Sequence, residues 1–328
     1  MNLIFLLYFT LTGSGAFLLA LRYTGNRIAA VWTAVTLAFC PYVLTQSCYF
    51  LHFSTIWFFP WFIYLAQRFI DSGKLKYSCL AALVYALCLL EDQTYFFLLS
   101  LVAVGIALFG AVIRKKPGAH DDRPRRASLF RRNLLAGAAV FLAISFPYLS
   151  ALLKETISLS GSFPVWPDAP TDFFSLHPGQ LFRPFFLLTI YRNLPFLPLP
   201  DALPTNVFCG YIPLFFALFA LINYKTLQPE KKAIVLFWLI IGSVFFFIAL
   251  GPKPFGDIEY VNRLAPYRYV CSGILRQFRI PVRFSLVTMI ALYVIASFGV
   301  AEFLKQFIAA WPPENPGASE SGLAGRNS

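Results

Sequence analysis

Residues 276–304 read RQFRIPVRFSLVTMIALYVIASFGVAEFL, a basic segment followed by a long apolar one. The second part, residues 285–304, carries a single charged residue, Glu302. About 20 mostly apolar residues are the length that an α-helix needs to cross about 30 Å of hydrocarbon. The first part places Arg276, Arg279 and Arg283 directly before that apolar segment. The stretch therefore predicts a transmembrane helix with strong positive charge at its start.

The rest of the chain has the same apolar character. It is 328 residues long, 58% hydrophobic and only 13% charged, with a mean hydropathy of +0.67. A soluble protein of this composition would expose a large apolar surface to water. We therefore predict an all-α, polytopic transmembrane helical bundle of about nine spans. The predicted spans are residues 3–21, 28–45, 48–66, 77–90, 94–113, 134–153, 207–223, 233–250 and 285–304.

The net charge of +12 is spread over the loops between these spans and does not point to nucleic acid. Cytoplasmic loops of membrane proteins carry an excess of lysine and arginine. This rule puts the N-terminus outside and the C-terminus in the cytoplasm. The inner loops then hold Arg22, Arg27, Arg68, Lys74, Lys76, Arg114, Lys115, Lys116, Arg123, Arg125, Arg126, Arg131, Arg132, Lys225, Lys231 and Lys232. The dense run from residue 114 to 132 is either a topology signal or a site for anionic membrane lipids or a partner.

Two outer segments are long, residues 154–206 and 251–284. The first is rich in proline and aromatic residues, including Trp166. Its prolines forbid a continuous helix or a central strand, so we expect short interfacial helices and turns over the outer surface. Residues 1–305 thus form the transmembrane domain. Residues 306–328 form a cytoplasmic tail that is predicted to be disordered.

Glu91 and Asp92 are adjacent carboxylates between the fourth and fifth predicted spans, on the predicted outer side. The chain has only 15 acidic residues, so this pair stands out. The two carboxylates could act as a general base or hold a divalent cation. The alternative is a hydrophilic turn between two helices. Glu91 and Asp92 are the candidate catalytic residues.

The arginines before the last span are candidate ligands for a phosphate. Guanidinium groups stay charged and bind phosphate through two parallel hydrogen bonds, which makes Arg276, Arg279 and Arg283 candidate substrate-binding residues. For Arg283 alone, an arginine that reaches lipid phosphates is an equally simple interpretation. His52 and His177 also fall on the predicted outer side and are further candidates for a polar site. For His52 an ordinary interfacial role is the alternative.

Other recurrent motifs are missing from the sequence. It contains no HExxH, GxSxG or P-loop pattern, so soluble hydrolase and NTPase classes gain no support. The six cysteines show no metal-binding spacing. Buried free thiols are the prediction for them, although one disulfide on the outer side is possible.

Four short stretches give the chain a family resemblance. They are residues 25–30 (GNRIAA) with 38–42 (AFCPY), 57–61 (WFFPW) with 67–68 (QR), 206–214 (NVFCGYIPL), and 278–284 (FRIPVRF). In this order they resemble integral membrane glycosyltransferases of the GT-C type. The likeness is to bacterial members that take sugars from polyprenyl-phosphate donors, and it extends over most of residues 1–305.

This resemblance implies a glycosyltransferase in the bacterial inner membrane. Its partners would be a lipid-linked sugar donor and membrane lipids, and a divalent cation is a possible cofactor. The family's base is an acidic residue in the first outer loop, but the first acidic residue here is Asp71, on the predicted inner side. We therefore expect either an N-terminally truncated enzyme or a relative without activity. Glu91 and Asp92 occupy a position comparable to a second acidic outer loop.

Two other functions remain open from the sequence. One is a catalytically silent membrane assembly subunit. The other is a transporter or flippase for an anionic lipid-linked precursor, which would place charged residues deep within the spans.

Overall fold

The structure, a computed structural model, describes residues 2–44, 55–113, 123–158, 208–251, 265–270 and 281–310. Within these ranges the chain is helical and contains no strand, which confirms the all-α prediction for this part of the protein. Short 3-10 helices occur at Asn223–Thr226 and Pro281–Phe284. The α-helices are α1 (Asn2–Thr24), α2 (Arg27–Ala38), α3 (Phe58–Ser72), α4 (Leu75–Glu91), α5 (Gln93–Ile113), α6 (Arg123–Ser158), α7 (Tyr211–Ile222), α8 (Pro229–Ala249), α9 (Pro266–Val270) and α10 (Ser285–Ala310).

Six of the described helical segments are long and apolar enough to cross a membrane. They lie in α1, α2 with its extension to Leu44, α5, α6, α8 and α10. Helices α3, α4 and α7 occupy three further predicted spans but have only 15, 17 and 12 residues. The structure therefore supports six membrane-length helices, while nine spans remain a prediction.

The outer surface of the helices is apolar. On α6, for example, the side chains of Leu135, Phe146 and Leu153 are more than 60% exposed. A continuous apolar surface of this kind is unfavourable in water and suits contact with lipid tails. Together with the six long helices, it indicates an integral membrane protein.

Helix α10 forms the centre of the bundle and packs against α7, α8 and α2. Small residues allow this close packing. A Cβ added at Gly299 of α10 would overlap the main-chain oxygen of Phe216 in α7, and one added at Gly242 of α8 would lie 2.9 Å from the Cβ of Ala291. Close approach of helix backbones at small residues is the usual way in which membrane helices associate.

The described ion pairs of the bundle lie at its two ends. At one end, Tyr8 hydrogen-bonds Glu91, and Asp92 lies beside Arg283. We call this the Asp92 end.

The opposite end holds most of the described basic residues, and we call it the Asp71 end. There Arg22 pairs with Asp71, Lys231 donates a hydrogen bond of 3.1 Å to the main-chain oxygen of Thr24, and Thr226 contacts Glu302. Helix α1 therefore runs from the Asp92 end, at Tyr8, to the Asp71 end, at Arg22, and α10 runs the same way from Arg283 to Glu302.

Several helices extend beyond their predicted spans, among them α3, which continues to Ser72 although its span was predicted to end at residue 66. Helix α10 continues to Ala310, beyond the predicted end of the span at residue 304. Helix α6 begins at Arg123, before its predicted apolar segment, because arginine and alanine favour helix and Pro124 is tolerated in a first turn. Residues 311–328 of the predicted tail lie outside the described part of the chain.

The described cysteines are free thiols. Cys40, Cys88 and Cys209 are buried and Cys79 is half-buried. This confirms the prediction of free thiols for these four residues. Cys48 and Cys271 lie outside the described ranges.

Candidate functional site

The turn between α4 and α5 is built around Asp92. Its main-chain N–H donates to the carbonyl oxygen of Cys88 at 2.9 Å, which closes the last turn of α4. Its Oδ1 accepts hydrogen bonds from the main-chain N–H groups of Thr94 (2.6 Å) and Tyr95 (3.1 Å). Asp92 is thus the N-cap of α5, a position at which aspartate is strongly favoured. Of the two carboxylates, Asp92 therefore belongs to a hydrophilic turn between two helices.

The second oxygen of Asp92 faces the arginine that precedes the last helix. Arg283 Nη1 lies 3.8 Å from Asp92 Oδ2, and the side chains are only 16% and 8% exposed, respectively. The same Nη1 donates a 2.6 Å hydrogen bond to Thr94 Oγ1. Charges that are removed from water need such partners. The cap of α5 and the start of α10 are therefore joined at one point, which the sequence did not predict.

Glu91 has a different environment from its neighbour. Glu91 is exposed at the Asp92 end, and its Oε1 accepts a hydrogen bond of 3.3 Å from the hydroxyl of Tyr8. Asp92 is held by the cap and by Arg283, whereas Glu91 faces outward. Of the two candidate catalytic carboxylates, Glu91 is the one that a substrate could reach for proton transfer.

A pair of buried tyrosines lies behind the Asp92 cap. Tyr95 is fully buried in the first turn of α5, and its hydroxyl lies 3.4 Å from the hydroxyl of Tyr42. The ring of Tyr95 also packs edge-on against Phe59 at 6.0 Å between ring centres. These contacts fix the start of α5 against neighbouring helices and so fix the position of Asp92.

The structure brings together three of the predicted site residues, Glu91, Asp92 and Arg283. Arg276, Arg279, His52 and His177 lie outside the described residues, as does Trp166. Tyr8 and Thr94 complete the described site, and sequence reasoning missed both. The Asp92-x-Thr94 pattern at a helix start was the available signal for Thr94, and no signal marked Tyr8.

No group of three or more histidine, cysteine or acidic residues that could hold a metal ion occurs within the described ranges. Asp92 is already engaged by two N–H groups and by Arg283. The possible divalent cation stays a prediction, for which Glu91 is the described oxygen ligand that remains accessible.

Comparison with known proteins identifies no family. No protein-family model, no curated protein and no solved structure matches this chain. The fold and the site of the described ranges define the class as a helical membrane protein, with six helices of membrane length in those ranges and a carboxylate–arginine cluster at one end. We therefore base the proposed function on the residues of that cluster, Glu91, Asp92 and Arg283.

Proposed function

We propose that the chain is a membrane glycosyltransferase of the GT-C type, or part of one, that uses a polyprenyl-phosphate sugar as its donor. One observation carries the proposal. At one end of an apolar helical bundle, Asp92 lies beside Arg283. The residue before it, Glu91, is an exposed carboxylate. Sugar transfer from a lipid phosphate needs a base for the acceptor and a cation for the leaving phosphate, both at the membrane surface.

The orientation follows from the charge distribution. The Asp71 end carries Arg22, Lys231 and most other described basic residues, so we assign it to the cytoplasm. The Asp92 end then faces the extracytoplasmic side of a bacterial inner membrane. The N-terminus is outside and the C-terminus is inside, with about nine spans between them.

The proposed reaction assigns one role to each described group. The acceptor hydroxyl attacks the anomeric carbon of the sugar, its proton passes to Glu91, and the bond between that carbon and the phosphate oxygen breaks. Arg283, together with Arg276 and Arg279 of the same segment, stabilises the charge on the departing lipid phosphate. Asp92 and Thr94 act through Arg283, whose guanidinium they position.

The location of charge argues against a transporter or flippase. Such a protein would carry charged residues deep within its helices. The described charged residues instead lie at or near the ends of the helices, as Arg22, Asp71 and Arg283 do; Glu302 lies within α10 but close to its end. A catalytically silent subunit remains the alternative, and an activity measurement separates it from an enzyme.

The experiment is a transfer assay with the purified full chain in detergent. Radiolabelled polyprenyl-phosphate sugars serve as donors, and a bacterial envelope extract supplies the acceptors. We expect transfer by the natural chain and a decrease of about 100-fold or more in Glu91→Gln, because general bases contribute about 10²–10⁴-fold.

The matched control is Glu230→Gln, which removes an acidic residue from the first turn of α8 at the opposite end. It should retain full transfer. Full transfer by Glu91→Gln would contradict the role of Glu91. Donor binding without any transfer would establish the silent subunit instead.

A further inference from the structure

The start of α6 is fixed against the turn between α3 and α4 at the Asp71 end. The ring of Phe130 stacks on that of Phe69, with 4.6 Å between ring centres. Asn133 is nearly buried, and its Nδ2 donates a 2.7 Å hydrogen bond to the main-chain oxygen of Gly73. One helical turn later, a Cβ added at Gly137 would overlap the hydroxyl of Ser78. These three contacts hold two distant parts of the sequence together.

The contacts bring two pairs of basic residues to the same end of the bundle, one pair on each side of the Asn133–Gly73 hydrogen bond. Lys74 directly follows Gly73, and Lys76 lies in the first turn of α4. Arg131 and Arg132 directly precede Asn133 on α6, and all four side chains belong to exposed residues. We call Lys74, Lys76, Arg131 and Arg132 the basic surface. The linear sequence separates its two halves, and only the fold joins them.

The neighbouring groups leave the basic surface positive. The nearest carboxylate of the α3–α4 turn, Asp71, pairs with Arg22 of α1. Arg68 donates a hydrogen bond of 3.1 Å to the hydroxyl of Tyr77, and its guanidinium and the Lys76 ammonium lie 5.2 and 5.0 Å from the centre of that ring. No acidic residue occurs in the sequence from 123 to 154. An anion is therefore the complementary ligand.

Exposed leucines directly adjoin these cations. The apolar segment of α6 begins at Ser128, so Arg131 and Arg132 lie near the edge of the hydrocarbon region. Leu134 and Leu135 follow them and are 51% and 69% exposed, and Leu75 of α4 is 47% exposed. A positive rim above an exposed apolar surface matches a molecule with a phosphate head and apolar tails.

We propose that the basic surface binds the phosphate headgroup of an anionic membrane lipid, whose tails lie along the adjoining leucines. Phosphatidylglycerol has the required chemistry. Arg123, Arg125 and Arg126 lie in the first turn of α6, before that apolar segment in the sequence. The site lies at the opposite end of the bundle from Glu91 and is independent of sugar transfer.

The test measures lipid binding to the purified full chain in a neutral detergent by native mass spectrometry. Phosphatidylglycerol is compared with phosphatidylcholine of the same acyl chains, and inorganic phosphate is a separate arm. The natural chain should retain phosphatidylglycerol selectively. A basic residue near an anionic surface contributes about a fivefold increase in affinity. Two double variants each remove two such residues, Lys74→Gln/Lys76→Gln and Arg131→Gln/Arg132→Gln. Each should weaken retention of phosphatidylglycerol by about 20-fold.

The matched control removes two basic residues at the same end but outside the surface, Arg27→Gln/Lys225→Gln. It should retain phosphatidylglycerol like the natural chain. The proposal is overturned if neither double variant loses lipid, if the control loses as much, or if phosphatidylcholine is retained equally. It is also overturned if inorganic phosphate displaces the lipid at millimolar concentration, since the site would then be one for free phosphate. Using two independent double variants keeps the test decisive if one of them does not fold.

Discussion

Asp92 Oδ2 lies 3.8 Å from Arg283 Nη1, and this contact joins the turn before α5 to the start of α10. Thr94, two residues after Asp92, accepts a hydrogen bond from the same nitrogen across 189 residues of sequence. The cap of one helix is therefore also the anchor for an arginine in front of another. Arg283 is thus held at the residue that follows Glu91 in the sequence, which is the basis of the proposed chemistry.

The first prediction concerns the two functions of Asp92. Asparagine can still accept the hydrogen bonds of the cap but carries no charge, whereas alanine removes both functions. We expect Asp92→Ala to lower the free energy of unfolding by about 3 kcal/mol, about 1 from the cap and the remainder from an arginine left in a largely buried position. Asp92→Asn should fall between Asp92→Ala and the natural chain. Thermal unfolding in detergent, followed by tryptophan fluorescence, measures the order.

Glu91→Gln is the control for this series because Glu91 is exposed and contacts only Tyr8 among the described hydrogen bonds. Its unfolding temperature should equal that of the natural chain. Equal stability of Asp92→Ala and the natural chain would contradict the structural role of Asp92.

The second prediction concerns the packing of α7 on α10. Gly299→Ala places a methyl group on the main-chain oxygen of Phe216, which can move only if the helices separate. We expect a loss of about 3 kcal/mol in stability, the upper range for overpacking. In the control Gly13→Ala, the added Cβ would lie 3.5 Å from the oxygen of Ala34, an ordinary contact. Unfolding temperatures in detergent should therefore fall for Gly299→Ala and stay unchanged for Gly13→Ala. Tolerance of both substitutions would show that α7 and α10 are not in close contact.

The third prediction concerns orientation. In a background with every native cysteine replaced by serine, Lys154→Cys marks the Asp92 end and Lys225→Cys marks the Asp71 end. Both positions are exposed. A membrane-impermeant maleimide should label Lys154→Cys in intact bacteria whose outer envelope has been made permeable. It should label Lys225→Cys only after the inner membrane is also opened. The reverse pattern would place the Glu91 site in the cytoplasm.

Hydropathy predicted the helices well, because apolar segments of membrane length dominate this chain. The ends of α6 and α10 were missed, since Arg123 and Ala310 lie outside the apolar segments that hydropathy detects. Glu91, Asp92 and Arg283 were each recognised as polar residues on the same side. Their sequence neighbours do not reveal that Asp92, and not Glu91, faces Arg283. That choice depends on how the first turn of α5 packs in three dimensions.

The basic surface at the Asp71 end illustrates the same limit. Arg131 and Arg132 belong to a conspicuous charged run, for which the sequence favours a topology signal over a site for anionic lipids or a partner. The contacts of Phe130, Asn133 and Gly137 with α3, the following turn and α4 bring Lys74 near that run. A contact between distant segments is specified by packing, and charge spacing along the chain does not predict it.

The proposed function requires the Asp92 end to bind a lipid-linked sugar phosphate through its arginines. The most direct test measures binding of a radiolabelled polyprenyl-phosphate sugar to the purified full chain, with the double variant Arg279→Ala/Arg283→Ala beside it. The control Arg27→Ala/Lys225→Ala removes the same charge at the Asp71 end, and circular dichroism verifies that each variant is folded. We predict saturable binding that falls at least about tenfold in Arg279→Ala/Arg283→Ala and is unchanged in the control, because bonds to charged groups contribute about 1.5–3 kcal/mol each. Unchanged binding in a folded Arg279→Ala/Arg283→Ala variant would show that these arginines do not bind the donor phosphate.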